Sequence, residues 1–354
     1  MIEQQYYTRE KRGIFSSTPG YDTIAKSRGL EDEFIKNTIH SLCFYVAPAF
    51  LAGEKDLSKY PKALFYASTG EGRIVIGQSV FAGKDYTLKR DRYFTHCYVV
   101  PENEKKIYIE NPEKIIYSSG FAENYDMEKG TFIESLREIK IDSTYDVFNS
   151  IEDLFLAASM DKNIFINMVK ACFDAAAFNK KIYIVLGRDK NVDKVIKGIL
   201  KYLYRALPFA VRSKVGFITY VKQPEIKEFI NIEFLLGGSI KRLTQDVKAG
   251  YVFDIADNSF YLDGIDERQH VFIDFVMNNI EDRKVLNEFF IQADNVCLEE
   301  KFTIDIYDNI LCPSFQSEGV EKSGSCKNDS KQVEVKHSLK YFFKKLFLNF
   351  FNKD

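Results

Sequence analysis

Gln4-Gln5-Tyr6-Tyr7-Thr8-Arg9-Glu10-Lys11-Arg12-Gly13-Ile14-Phe15 runs almost directly into Gly20-Tyr21-Asp22-Thr23-Ile24-Ala25-Lys26-Ser27. A chain terminus ordinarily frays and carries little aromatic material, so one this dense in tyrosine and arginine must be tied into a sheet or a site. The pattern predicts a short strand over residues 5–9, ended or kinked at Gly13, and a turn at Thr18-Pro19-Gly20 before Tyr21. Asp22 and Lys26, four apart after that turn, read as a pair at the start of a helix.

Outward from this stretch, residues 1–142 carry short alternating, aromatic-rich segments at 42–46, 64–67, 73–79, 93–100 and 107–109, separated by glycine, proline and asparagine. They read as a β-rich domain with few helices. From Tyr145 the period changes. Residues 153–178 are helical, in two pieces; 181–186 is a buried strand; 192–207 is a helix stopped by Pro208. Strands over 214–220 and 229–236 follow, then helices over 267–279 and 283–291. Helix and strand alternate, so residues 143–312 read as an α/β domain and the chain as α+β overall.

Past Pro313 the composition shifts to Ser, Lys, Glu and Gly, which predicts a disordered linker over 313–338. Residues 339–354 then form a basic amphipathic tail helix. Leu339, Phe342, Phe343, Leu346, Phe347, Phe350 and Phe351 repeat at helical spacing, and Lys344 and Lys345 stand on the other side. Such a segment needs a surface to fold against. An anionic membrane, a partner's groove and the protein's own body are the three open choices, with Phe342, Phe343, Lys344, Lys345, Phe347 and Phe350 as the docking residues.

A formal net charge of -2 supplies no global positive field, so general nucleic-acid binding is not expected. The start Met-Ile-Glu-Gln-Gln has neither a basic region nor an apolar one, and the longest apolar stretch, 42–52, is short and broken by Pro48. No signal peptide or membrane span is expected, and the location expected is cytoplasmic, with peripheral contact to the inner membrane face open through the tail. Six cysteines form no CxxC pair, so they read as reduced thiols, with Cys43, Cys97 and Cys172 buried as small hydrophobes. No metal and no cofactor are expected.

The chain lacks a phosphate-binding P-loop: Gly83-Lys84-Asp85 has neither the spacing nor the hydroxyl. It also lacks GxSxG, HExxH and GxGxxG, and no residue is assigned a catalytic role. His96-Cys97 is a tempting nucleophile pair, but successive side chains of a strand face opposite ways, so His96 shares a face with Phe94 and Tyr98 while Cys97 joins Thr95 and Val99. Tyr7, Arg9, Arg12, Tyr21 and Asp22 admit two readings. Guanidinium groups with tyrosines grip a phosphate, a carboxylate or a peptide, or long side chains lie over an aromatic core. His40 and His270 read as structural histidines. Gly187-Arg188-Asp189 follows a strand and precedes a helix, where α/β folds bind ligands, although Asp189 or Asn191 capping the following helix is the simpler account.

The opening string QQYYTREKRGIF with GYDTIAKS resembles the start of the GTPase-associated protein 1 family, amino-terminal domain of the second type, from bacterial conflict systems. Phe94-Thr95-His96 with Val99-Val100-Pro101 is similar to a later part of that domain, and Val215-Gly216-Phe217-Ile218-Thr219-Tyr220 resembles the family's middle domain. The resemblance implies a GTPase encoded nearby as partner, a place in a phage-defence type of system, and an adaptor or effector-coupling role by protein–protein interaction. It adds His96 to the candidate binding residues and implies no established reaction. An enzyme with an unfamiliar site around His96 and Arg9, or a membrane-tethered scaffold, are the other function classes the sequence leaves open.

Overall fold

The computed structural model describes residues 1–296 and 302–311, and its architecture is α+β. The linker at 313–338, the tail at 339–354, and Cys297, Cys312 and Cys326 lie outside the described residues. By the density of its contacts the chain divides into Met1–Asp266 and a second unit that begins at Glu267.

The first strand, β1, spans Glu3–Glu10 and pairs antiparallel with both β2 (Gly20–Lys26) and β5 (Asp91–Val100). β2 corrects the sequence expectation of a helix start. Tyr21, Thr23 and Ile24 are aromatic or β-branched residues that suit a pleated surface, and the register sets Arg9 against Tyr21 and Thr8 against Asp22. Lys26 pairs with Asp32 at 2.7 Å instead of Asp22. Strands β3 (Ala63–Ser68) and β4 (Ile74–Lys84) complete an antiparallel array with β5.

Two expected strands are absent. Residues 42–46 come at the end of a helical stretch, Asp32–Phe34, a π-helical turn Ile35–Ile39 and His40–Leu42, and 43–46 continue without regular structure; residues 107–109 lie inside the helix Lys105–Glu110. Three to five apolar residues in a row carry no period long enough to separate strand from helix. Two short strands, β6 (Ser118–Ser119) and β7 (Lys140–Ile141), form a separate small sheet.

Helices Ile151–Ala158 and Lys162–Phe178 are the two expected pieces, each opened by a capping side chain: Ser150 accepts from Asp153 N and Asp161 from Ile164 N. Strands β8 (Ile182–Leu186), β9 (Phe217–Ile218), β10 (Ile232–Leu236) and β11 (Tyr251–Asp254) run parallel, and β12 (Ser259–Tyr261) is antiparallel to β11. β9 also pairs with β3, Phe65 opposite Ile218 and Tyr66 opposite Phe217. One ten-stranded sheet therefore runs β12-β11-β8-β10-β9-β3-β4-β5-β1-β2.

This sheet has two apolar faces. Phe65, Cys97, Tyr183, Val185, Ile218 and Leu235 belong to a core on the first, which the 34–45 segment covers. Tyr66 and Phe217 point the other way and meet Tyr204 of the helix Val192–Ala206, with ring centroids 6.2 and 5.7 Å from it.

In the second unit, helices Val271–Asn278, Arg283–Val296 and Ile304–Leu311 gather Phe289, Phe290 and Tyr307 around Phe272. No helix among the described residues is long and apolar enough to cross a membrane.

Candidate functional site

Alternation along β1 and β5 sorts the candidate residues onto opposite faces. His96 lies on the second face, 1% exposed, edge-on to Tyr6 at 4.7 Å and Tyr98 at 4.5 Å. Its Nδ1 accepts from the Ala122 amide at 2.9 Å, so Nε2 carries the proton and donates to Gln4 Oε1, also at 2.9 Å. Burial lowers its pKa to about 3. Both nitrogens are thus engaged in a neutral ring. Cys97 takes the other face, as the alternation requires, in contact with Cys43.

Asp22 ties down the chain that turns between β1 and β2. Its Oδ2 accepts from the amides of Phe15 (2.9 Å) and Ser16 (2.8 Å), and its Oδ1 from that of Thr23 (2.8 Å). A Cβ at Gly13 would stand 2.2 Å from that carboxylate, which is why the kink needs glycine. Arg12 is exposed at the turn.

The remaining candidates stack on the first face. Tyr21 lies parallel to Tyr93 at 4.3 Å and to Tyr7 at 5.9 Å. Arg9 covers the Tyr21 ring at 5.8 Å while its Nε bonds Asp85 at 3.1 Å. The Thr87 hydroxyl first, and Arg9 among others, hold Asp85 low, at about 2. Burial raises the Tyr7 and Tyr21 phenols, so both are neutral at ordinary pH. Tyr7, Arg9 and Tyr21 therefore come together, and His96 and Arg9 lie on opposite faces.

The stack opens into a cleft of about 760 Å³. Tyr21 and Tyr93 form one wall, and a second stacked pair, Tyr60 and Phe81 at 4.2 Å, forms another; Tyr45 and the small apolar run Val46–Ala49 close it. Among its charged lining residues, Lys84 pairs with Asp91 (2.5 Å), Arg92 with Glu10 (2.5 Å) and Glu54 with Lys59 (2.7 Å). Lys55 and Lys222 are exposed and have no ion pair among the described residues, which leaves the rim positive. The sequence reading found Tyr21 but not the cleft, because Tyr45, Tyr60, Phe81 and Lys222 come from separate segments. The signal available was Tyr93, which alternation places on the face of Thr95 and Cys97.

These walls come from residues that two family models cover. The amino-terminal domain of GTPase-associated protein 1, type 2, matches residues 1–139, and the middle domain of GTPase-associated protein 1 matches residues 153–257. The chain belongs to the GTPase-associated protein 1 family. No curated protein matches it.

In this family member a second cleft, about 850 Å³, lies at the carboxyl ends of β8 and β11, beside the start of the helix Val192–Ala206. Asn191 occupies the cap position, but its side chain makes no capping hydrogen bond. Arg188 turns aside, donating to the Gly237 carbonyl (2.6 Å) and covering the Phe50 ring at 4.6 Å. In the second unit, His270, Asp305 and Asp308 bring ligand-type atoms within 4.8 Å of one another. Those atoms already have partners: Asp308 takes His270 Nδ1 at 2.6 Å and the Phe272 amide at 2.8 Å, and Asp305 takes Arg268 at 3.1 Å. The tail candidates Phe342, Phe343, Lys344, Lys345, Phe347 and Phe350 lie outside the described residues.

Proposed function

We propose that this chain is a non-enzymatic adaptor of a GTPase-centred bacterial conflict system, which engages the GTPase as its partner protein through the aromatic cleft on the first face. A GTPase-linked role follows from the family itself. The observation that supports the finer reading is the contrast between the two faces. His96 and Asp22, the groups with catalytic chemistry, spend their hydrogen-bonding capacity inside the fold, while tyrosines and exposed lysines line an open cleft. Tyrosine and cationic side chains around a small-residue floor suit a protein contact, where aromatic anchors supply most of the affinity. The tail would add a tether to a membrane or a partner, on the strength of its sequence pattern alone.

Capture of the GTPase encoded beside this chain, by the tagged full-length protein, tests the reading. Lys55→Glu with Lys222→Glu should weaken capture at least tenfold without moving the melting temperature, because both side chains are exposed. Undiminished capture by that double variant would remove the cleft from the interface. The same assay with a chain ending at Ser338 measures what the tail contributes.

A further inference from the structure

Cys43 and Cys97 meet in the buried core of the first face. Cys97 is 0% exposed in β5, in the cross-strand row Phe65, Gly77, Cys97, Gln5. Cys43 is 2% exposed and stands where the chain leaves the helical turn His40–Leu42 and starts toward the cleft wall. The two Sγ atoms are 3.8 Å apart, across 54 positions of sequence. The other polar neighbour of Cys43 Sγ is Gln5 Oε1 at 3.9 Å. Tyr93, whose ring forms part of the cleft, donates its hydroxyl to the Cys43 carbonyl at 2.9 Å, and Tyr45 and Val46, which also line the cleft, follow Cys43 in the chain.

We propose that Cys43 and Cys97 are an oxidisable pair which a peroxide converts into a disulfide, fixing the wall of the cleft to the central sheet. Sulfur atoms already in contact need to approach by only about 1.8 Å to reach bonding distance. The Cys43 thiolate attacks the O–O bond of hydrogen peroxide, giving a sulfenic acid and, with one proton, water. The Cys97 thiolate then attacks the Cys43 sulfur, forming the S–S bond and expelling hydroxide, which takes up a proton as a second water. Two thiols and one peroxide become one disulfide and two waters.

Burial raises the Cys97 thiol well above its ordinary value, so the second step is slow and the pair stays reduced until the oxidant persists. The bond would close a long loop, which lowers the entropy of the denatured chain and stabilises the fold. It would also restrain the chain that carries Tyr45 and Val46. This last consequence for binding rests on the cleft being the partner site; formation of the bond does not.

The test treats the reduced full-length protein with hydrogen peroxide and maps disulfides by mass spectrometry of non-reduced digests. The expected result is a linked peptide pair containing Cys43 and Cys97, a rise of several degrees in melting temperature, and reversal of both by dithiothreitol. Cys43→Ala should abolish the linkage and the rise, and Cys172→Ala should leave them intact. Cys97→Ala serves as the second variant if the first fails to fold. Recovery of Cys43 and Cys97 as free thiols after prolonged oxidation, or their oxidation without linkage, overturns the proposal. GTPase capture unchanged by a verified disulfide overturns the restraint of the cleft. Failure of the reduced protein to capture the GTPase counts against the adaptor reading alone, because the digest still reports the bond.

Discussion

At the scale of single residues, Glu233 is the group whose environment disagrees most with its chemistry. It stands in β10 at 0% exposure, where its Oε2 accepts from the Glu225 amide at 2.9 Å and its Oε1 has no hydrogen-bond partner among the described residues. The neighbouring cations are committed elsewhere: Lys181 donates to the Lys227 carbonyl at 2.5 Å and to that of Ile230, and Lys227 pairs with Glu225 at 3.4 Å. Burial therefore dominates and pushes the Glu233 pKa up to about 8. A carboxyl raised in the folded state favours folding while it is protonated. Its contribution is complete below the ordinary carboxyl range and is lost as pH rises through about 8. Glu233→Gln, which stays neutral, should gain on the native protein as pH rises from 5 to 9, by a few kcal/mol at most. Melting curves of the two proteins across that range measure the gap, and a gap that stays constant would show that Glu233 ionises without cost. Sequence reading reached some residues and missed others for one reason. Alternation along a strand is local, so the opposite faces of His96 and Cys97 could be read directly. The partners Arg9 and Asp85, like Glu233 and Glu225, are joined by the tertiary fold, which leaves no local pattern.

At the scale of elements, length decided what could be read. The helices Lys162–Phe178 and Val192–Ala206 show several turns of periodicity, the second with a proline stop at Pro208, and both were legible. β2 was not, because its Asp22–Lys26 spacing imitates a helical pair, while Asp22 in fact anchors a loop. β11 and β12, of four and three residues, were too short to leave a pattern. The shortest strand of the main sheet matters most for the architecture: of the stretch expected as a strand over 214–220, β9 keeps two residues, and these join the antiparallel and parallel parts of the sheet. Gly216, just before β9, makes that junction possible. A Cβ there would lie 1.9 Å from the Phe229 carbonyl oxygen and 2.6 Å from that of Tyr66. Both are backbone atoms that cannot rotate away, so Gly216→Ala must push β3 or the 229 turn aside. The expected loss is about 2–3 kcal/mol, seen as several degrees in melting temperature. Gly237→Ala is the control, since its Cβ would meet atoms no nearer than 3.4 Å and should cost less than about 1 kcal/mol. Equal effects at the two glycines would mean that the approach at Gly216 is not tight.

At the scale of the molecule, the two family segments share one sheet and one core, so they should unfold together. The alternative is that each carries its own stability, as its separate family model suggests. The junction decides between them. Parting β3 from β9 would expose Phe65, Tyr66, Phe217 and Ile218, all between 0 and 1% exposed, and break the paired bonds of Thr219 N to Leu64 O (2.8 Å) and Leu64 N to Thr219 Oγ1 (2.9 Å). Burial of a large apolar side chain contributes roughly 2 kcal/mol, so the four together account for about 8 kcal/mol, which is comparable to the whole stability of an ordinary domain. Neither part could lose that and remain folded. Hydrogen exchange of the full-length protein along a denaturant series should therefore show a common midpoint for peptides from β3–β5 and from β8–β11. A chain ending at residue 142, which bares the β3 edge, should fail to give a cooperative melting transition. If instead the two sets of strands release at well-separated midpoints, the β3–β9 pairing is a contact between independently stable bodies, and a signal sensed in the cleft would have to cross that contact rather than travel through a single sheet.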